Sequence, residues 1–257
     1  MTANQFILPI QIDLAATLFF GLTGALVALK REYDVIGLFA LTFVTGVGGG
    51  LIRDGLFIQQ GPPAVTSDSR YMLMILLAGC CALLFRPRLI VWFRMITWFD
   101  SVGVRIEYFL SRVSRLNQVI ACLDALGLGA YAVVGVQKSL NAGLSVAAAI
   151  LVGVINASGG GLLRDVLVRD EPLLFKPGQF YVLAAFAGCV VFVLLAVHIE
   201  MEATPAALLA ILVTFVLRML AIRYNWVSPS LWTDSATGAA TDEVVKPPAP
   251  TPLAPKA

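Results

Sequence analysis

The chain has 257 residues, of which 59% are hydrophobic and 13% charged, and its formal net charge is +2. Soluble domains average roughly 45–50% apolar and about 25% charged residues, so a mean hydropathy of +0.87 excludes an ordinary soluble fold. The small net charge and the absence of a basic run in the tail also exclude a nucleic-acid partner.

Seven apolar stretches are predicted to cross a membrane as helices, because a bilayer requires roughly 20 consecutive apolar residues. In chain order they are Ile7–Leu29, Val35–Ile58, Tyr71–Phe85, Val119–Val136, Leu144–Val168, Phe180–Val197 and Pro205–Ala221. The first stretch lacks the basic start and the small-residue cleavage site of a signal peptide, so we expect it to be retained. The third and seventh are short for a full crossing.

Lysine and arginine residues are unevenly distributed between the two sides of these spans. Short cytoplasmic loops carry an excess of both residues, so the richer side is expected to be cytoplasmic. That side carries Lys30, Arg31, Arg86, Arg88, Arg94, Arg105, Arg112, Arg115, Arg169, Lys176, Arg218 and Arg223. The distribution places the N-terminus outside and the C-terminus in the cytoplasm.

The sequence contains an internal repeat. Residues 48–54 read GGGLIRD and residues 159–165 read GGGLLRD, so the two motifs differ at a single position. In the same register, Asp13 matches Asp124. The two motifs lie on the second and fifth spans, three crossings apart, so the two copies run in opposite directions. Proteins with such inverted repeats have their functional sites where the halves meet.

The repeat organises the chain. The predicted units are a first three-helix repeat (7–85), a basic amphipathic cytoplasmic linker (86–118), a second, inverted repeat (119–198), a seventh helix (199–225) and a disordered tail (226–257). The apolar residues of Val102–Leu116 recur at helical spacing, as in a helix lying in the headgroup region. A simple extension of the fourth span into the cytoplasm explains the same pattern.

Two glycine triplets are predicted to shape the second and fifth spans. Three successive glycines allow either close contact between helices or a local break, and both interpretations stay open at this point. The candidate helix-kink residues are Gly48, Gly49, Gly50, Gly159, Gly160 and Gly161.

An arginine follows three residues after each triplet. An intramembrane arginine costs about 2.5–3.5 kcal/mol on insertion scales unless it faces protein or water. Arg53 and Arg164 are therefore candidates to face a permeation path, with snorkelling to the interface as the alternative. Adjacent residues do not share a helix face, so each arginine is predicted to pair with the aspartate of the other motif, Asp165 or Asp54. These four residues are the candidate permeation and gating residues.

Asp13 and Asp124 lie near the starts of their predicted spans. They are candidates either for helix N-caps or for ion sites. The single histidine, His198, lies in the link before the seventh span, away from both motifs. We therefore predict no enzymatic activity, no cofactor and no metal site.

The doubled motif, Pro62-Pro63 and Glu171-Pro172 after it, and Tyr71 and Tyr181 at the starts of the next spans together resemble the prokaryotic trimeric intracellular cation (TRIC) channel family. The same sequences are also grouped as a bacterial glycine-transporter domain. The resemblance covers about residues 10–225. It implies seven helices as an inverted 3+3 repeat plus one, a homotrimer in the bacterial inner membrane, and a path in each subunit lined by the kinked second and fifth helices. By that similarity, the glycine triplets are hinges and the two motif arginines face the path.

Two transport functions remain open. A monovalent-cation channel for K⁺ or Na⁺ requires that the two arginines be neutralised or act as a gate, because unpaired arginines would repel the cation. A carrier of a small zwitterion such as glycine would instead use an arginine to bind the carboxylate. A membrane scaffold without transport activity is the third possibility. Besides the permeant cation or amino acid, the expected partner is membrane lipid.

Overall fold

The computed structural model describes the backbone of residues 7–96, 105–175, 180–224 and 226, and the side chains of 7–84, 116–175, 180–224 and 226. All regular structure in these ranges is helical. The helices are α1 (Ile10–Lys30), α2 (Val35–Ile52), α3 (Ala64–Ser67), α4 (Ser69–Ile96), α5 (Arg105–Asn141), α6 (Val146–Leu167), α7 (Tyr181–Val193) and α8 (Ala203–Arg223). A π-helical turn extends α2 over Arg53–Ile58, and another extends α7 over Leu194–His198.

Within the described residues, six helical segments are long and apolar enough to cross a membrane. They are Ile10–Lys30, Val35–Ile58, Leu116–Asn141, Val146–Leu167, Tyr181–His198 and Ala203–Arg223. The apolar part of α4, Ser69–Leu84, is shorter. The prediction of an all-helical membrane protein is confirmed, and the apolar runs located each of these helices to within a few residues.

The region between the two repeats differs from the prediction. Helix α4 continues to Ile96 and α5 begins at Arg105, so the fourth span and the segment before it form one helix of 37 residues. The predicted headgroup helix is therefore wrong for residues 105–116, and the extension of the fourth span is what the structure has. Residues 97–104 and the side chains of 85–115 lie outside the described residues, as do 227–257 of the predicted tail.

Helices α2 and α6 begin in the same way. Asp34 caps α2 by accepting a hydrogen bond from the Gly37 amide at 2.7 Å. Its counterpart in the repeat, Ser145, caps α6 by accepting one from the Ala148 amide at 3.3 Å. Such caps satisfy amides that the first helical turn leaves without a partner. The repeat therefore extends beyond the glycine motifs to the starts of both helices.

The glycine triplets let α2 and α6 touch backbone to backbone. A side chain at Gly49 would overlap the carbonyl oxygen of Asn156 in α6, and one at Gly160 would overlap the carbonyl oxygen of Thr45 in α2. These contacts are reciprocal, because the two glycines are counterparts in the repeat and so are the two carbonyl residues. A Cβ at Gly159 would lie 3.2 Å from the Cα of Gly49. At Gly49 and Gly160, where a Cβ would overlap backbone, only glycine permits this separation.

Neither triplet interrupts its helix. α2 remains α-helical to Ile52 and α6 to Leu167. Of the two interpretations of the glycines, the structure has close packing and lacks the local break. The departure from α-helical geometry comes one turn later, in the π turn that starts at Arg53.

The other helices surround this central pair. α1 packs on α2, α4 and α5, and α5 in turn packs on α6, α7 and α8. Much of the core consists of alanine and other small residues, including Ala16, Ala132 and Ala185, each with no exposed surface. Small side chains allow the helices to approach closely, as in other membrane bundles. The motif arginines at the ends of α2 and α6, Arg53 and Arg164, are thereby buried among the helices.

Candidate functional site

Ten side chains form two clusters, one at the end of each central helix. The first cluster consists of Asp13, Arg53, Asp54, Tyr71 and Lys138. The second cluster consists of Asp124, Arg164, Asp165, Tyr181 and Arg218. In each cluster the two carboxylates, the motif arginine and the tyrosine are counterparts in the repeat, and the remaining cation is not.

Arg53 is neutralised by the residue that follows it. Its side chain is 1% exposed, and its Nε and Nη2 donate to the two carboxylate oxygens of Asp54 at 2.7 and 3.1 Å. Nη1 donates to Oδ1 of Asn156 on the other central helix at 3.4 Å. The Ala64 amide, at the start of α3, donates to Asp54 at 3.0 Å. This bidentate arrangement is the strong form of the arginine–carboxylate pair.

Asp13 completes the first cluster from α1. Its Oδ2 accepts a hydrogen bond from the Tyr71 hydroxyl at 2.6 Å and from Nζ of Lys138 at 2.7 Å. Lys138 belongs to α5, so this contact joins the two repeats. A small cavity, with room for about one water molecule, lies here, lined by Asp13, Arg53, Asp54, Tyr71 and Tyr131 among others. The first cluster therefore offers both cationic and anionic groups to a small space.

The second cluster repeats the arrangement around Arg164. Its Nε donates to Asp165 at 2.8 Å, and its Nη1 donates to Asp124 at 3.0 Å and to Thr23 of α1 at 3.1 Å. The Leu173 amide donates to Asp165 at 3.1 Å, as the Ala64 amide does to Asp54. Here the arginine binds both carboxylates directly, whereas in the first cluster the α1 carboxylate is bound by a lysine.

The tyrosines of the two clusters differ in their partners. Tyr71 donates to Asp13, but in the described part of the chain neither the Tyr181 hydroxyl nor Oδ2 of Asp124 has a hydrogen-bond partner. Instead, the guanidinium carbon of Arg218 lies 5.0 Å from the centroid of the Tyr181 ring, in a cation–π arrangement. Arg218 lies on α8, outside both repeats, and is 2% exposed.

Comparison with known proteins identifies the family. The sequence model of a family described as glycine transporter matches residues 10–87 and again residues 121–197. The chain belongs to this glycine-transporter family. A UPF0126 membrane protein of Deinococcus radiodurans is 30% identical over 222 residues, which are 86% of this chain and 87% of that protein. The UPF0126 inner membrane protein YadS of Escherichia coli K12 is 28% identical over 225 residues, 87% and 96% of the two chains.

Solved structures of TRIC channels share the fold. A TRIC trimeric intracellular cation channel orthologue from Rhodobacter sphaeroides superposes with a TM-score of 0.67 at 29% identity, covering 84% of this chain and 97% of that one. A second solved structure, which addresses conductance through TRIC cation channels, superposes with a TM-score of 0.67 at 27% identity. The match covers 90% of this chain and 100% of that one. The predicted family resemblance is confirmed, and this glycine-transporter family member is a multi-pass bacterial inner membrane protein.

The predicted cross-pairing of the motifs is wrong in this family member. Each arginine pairs with the aspartate beside it, Arg53 with Asp54 and Arg164 with Asp165. The prediction treated neighbouring residues as pointing to different helix faces. An arginine side chain is long enough to fold back to the next residue, and its partner aspartate turns toward a backbone amide beyond the helix end. The arginines are buried between helices, so snorkelling to the interface is also wrong for them.

Asp13 and Asp124 do not cap their helices. The N-cap position of α1 is Pro9, and Asp13 lies within the first turn of the helix. Asp124 lies in the interior of α5, several turns after its start at Arg105. The extension of α5 removed the helix start that the cap required. Both carboxylates instead pair with buried or partly buried cations, Lys138 and Arg164.

Sequence reasoning missed four residues that the structure brings to the site. Lys138, on the less basic side of the spans, and Arg218, on the more basic side, were used only to orient the chain, because both lie near the ends of spans. Asn156 and Tyr131 lie inside apolar spans, where a polar group without a partner is costly. The Asn156 amide donates to the carbonyl of Tyr131 at 2.6 Å, and the Tyr131 hydroxyl donates to the carbonyl of Gly46. The available signal was Asn156, a polar residue three positions before a glycine triplet inside an apolar span.

Proposed function

We propose that this protein is a monovalent-cation channel with one permeation path per subunit, conducting K⁺ or Na⁺ between the two charged clusters. The path is lined by α2 and α6 and carries Arg53, Asp54, Arg164 and Asp165. The resemblance in fold to a TRIC trimeric intracellular cation channel orthologue supports this assignment. By the same likeness, the working assembly is a homotrimer in membrane lipid.

The neutralisation of both buried arginines is the observation that carries the proposal. Two positive charges on a path would repel a permeant cation. Arg53 donates to both carboxylate oxygens of Asp54, and Arg164 donates to Asp165 and Asp124. In the first cluster Asp13 also offsets Lys138. Each cluster therefore holds two cations and two carboxylates, and the electrostatic objection to a cation path is removed.

The proposed topology has seven spans, with the N-terminus outside and the C-terminus in the cytoplasm. Residues 7–85 and 119–198 form the inverted repeats, and 199–225 form the seventh helix. In this topology the first cluster lies toward the outer face and the second toward the cytoplasm. A path between them crosses the close contact of α2 and α6 at the glycine triplets. Helices without side chains at this contact can slide or bend there, which gives the triplets the role of hinges during opening.

A second candidate function is transport of a small zwitterion such as glycine. The cavity in the first cluster favours it, because Arg53 and the carboxylates of Asp13 and Asp54 line the same small space. An arginine binds a carboxylate and an aspartate binds an ammonium group. In that function the Arg53–Asp54 pair would have to open to admit substrate. The description of the matching family model is consistent with this candidate.

Flux measurements on purified protein separate the two functions. K⁺ current is recorded in planar bilayers and uptake of labelled glycine in liposomes, for the wild type and for Arg53→Ala with Arg164→Ala. The channel predicts unitary K⁺ currents that change in the double variant, with no saturable glycine uptake. Saturable uptake that the double variant loses, without unitary currents, would establish the carrier instead. Arg70→Ala serves as the control, because that side chain is exposed and pairs with Asp68 at the surface.

A further inference from the structure

The two clusters are unequal in where their second cation comes from. Four members of the first cluster have a repeat counterpart in the second cluster, namely Asp13, Arg53, Asp54 and Tyr71. Lys138 has no charged counterpart there. The position that corresponds to Lys138 in the repeat register is Val27, an apolar and partly buried residue of α1. By the repeat alone, the second cluster would hold Arg164 against two carboxylates and carry a net negative charge.

Arg218, on α8, balances this negative charge. Its guanidinium lies over the ring of Tyr181 and interacts electrostatically with Asp124, while Arg164 is its like-charged neighbour. The second cluster then has Arg164 and Arg218 against Asp124 and Asp165, the same balance as in the first cluster. A buried charge without compensation is strongly unfavourable, so the second cluster requires such a cation.

The packing of α8 places Arg218 in this position. Thr214, one turn earlier on the same face, abuts Gly188 of α7 and lies 3.2 Å from where a Cβ at Gly129 of α5 would be. A side chain at Gly188 would overlap the Thr214 hydroxyl. The two glycines therefore seat α8 between α5 and α7. Residues four apart share a helix face, so this seating directs Arg218 toward Tyr181.

We propose that Arg218, on α8, is a positioning residue of the second cluster. It supplies the second cation of that cluster, as Lys138 does for the first cluster. Arg218 holds Asp124 and Arg164 in their paired arrangement and keeps the cytoplasmic end of the path neutral. Helix α8, which lies outside the duplicated unit, is thereby part of the site. The effect on conduction rests on the proposed channel function, whereas the charge replacement does not.

The test uses the position that the repeat predicts. Arg218→Met removes the charge, Arg218→Lys keeps it, and Arg218→Met with Val27→Lys places the missing cation at the counterpart of Lys138. Arg223→Met is the control, since Arg223 is exposed at the end of the same helix. The measurements are the thermal unfolding midpoint of the protein in detergent and the unitary K⁺ conductance in a bilayer.

We expect Arg218→Met to lower the unfolding midpoint, and to lower unitary conductance about tenfold because an uncompensated unit charge in a desolvated cluster binds the permeant cation too tightly. Val27→Lys should reverse most of both losses, Arg218→Lys should lose little, and the control should match the wild type. A purely structural contribution of α8 would lower the midpoint without reversal by Val27→Lys.

Two results would overturn the inference. One is an Arg218→Met protein with wild-type midpoint and conductance. The other is a double variant as impaired as Arg218→Met in both measurements. Where Arg218→Met gives no monodisperse protein, recovery of a monodisperse peak in the double variant counts as reversal and its absence as failure. A wild type without unitary current would refute the channel alone, and the midpoints would still decide whether the charge is replaced.

Discussion

Asp54→Asn tests the channel at the contact that carries the proposal. The substitution keeps the size of the side chain and an oxygen that can accept the Ala64 amide, but it removes the charge that neutralises Arg53. The cluster then holds Arg53 and Lys138 against the single carboxylate of Asp13, whose Oδ2 is bound by Tyr71 and Lys138. The variant therefore leaves a buried positive charge in the first cluster.

The expected magnitude follows from Coulomb's law. A K⁺ ion that approaches the unpaired guanidinium to about 6 Å is repelled by about 3 kcal/mol at an effective dielectric constant of about 20. This corresponds to a roughly hundredfold lower occupancy of the path. Unitary K⁺ conductance of Asp54→Asn in a planar bilayer should fall accordingly. The fall should diminish as salt concentration rises, to the extent that the cluster is reached by solvent.

Two further variants give this test its controls. Arg53→Gln combined with Asp54→Asn removes both charges and should recover much of the conductance, because no unpaired cation remains. Asp68→Asn removes a carboxylate from an exposed ion pair with Arg70 and should conduct as the wild type does. Wild-type conductance in Asp54→Asn would refute the placement of Arg53 on the path. Removing one partner of a buried pair also costs about 3–5 kcal/mol of stability, so folding is checked by gel filtration.

The remaining predictions concern packing, hydrogen bonding and pH. Gly49→Ala should destabilise the protein by about 1–3 kcal/mol, because its methyl group meets a backbone carbonyl of α6. Gly55→Ala should not destabilise it, because the space around Gly55 is open. Melting curves in detergent compare the two variants. Tyr131→Phe should cost about 0.5–1.5 kcal/mol in the same assay, through loss of its hydrogen bond to an α2 carbonyl. The Arg70 side chain holds the pKa of Asp68 below its usual range. The small stabilisation from Asp68 is therefore present above the ordinary pKa of an aspartate and is lost as pH falls through the lowered value, so melting curves of the wild type and Asp68→Asn should converge in acid.

Apolar runs and the doubled motif were sufficient to predict most of the fold. Hydrophobic runs of bilayer length located the helices, and the near-identity of residues 48–54 and 159–165 located both arginine–aspartate motifs. Short elements escaped this reasoning. Helix α3 has four residues, too few for any periodicity, and it forms after Pro63 where its first amide donates to Asp54. The hydrogen bond to that carboxylate joins residues ten positions apart, so no local sequence pattern predicts the helix.

The partners of the charged residues were not predictable in the same way. A sequence shows that a charge lies in an apolar span, but not which helix faces it. Lys138 illustrates the limit, because its partner Asp13 lies far away in the sequence, on another helix. The pairing of Arg164 with its own neighbour depends on side-chain conformation and on the Leu173 amide beyond the helix end. Helical wheels contain neither of these contacts.

Contacts at the two ends of the bundle show what duplication conserves. At one end Arg31, just after α1, pairs with Asp170, which follows α6. At the equivalent place on the other end, Gln60, which follows α2, donates to the carbonyl of Ala142, just after α5, at 3.2 Å. Arg31 and Ala142 are repeat counterparts. The contact between these helix ends is therefore present in both halves, but it is an ion pair at one end and a hydrogen bond to a backbone carbonyl at the other. The duplicated fold requires that these ends meet, and a hydrogen bond or an exposed ion pair of low net energy meets that requirement. Identity between the repeats is therefore strongest where glycines and buried charges leave few substitutes, as at the doubled motif, and it disappears where several residue types hold the same joint.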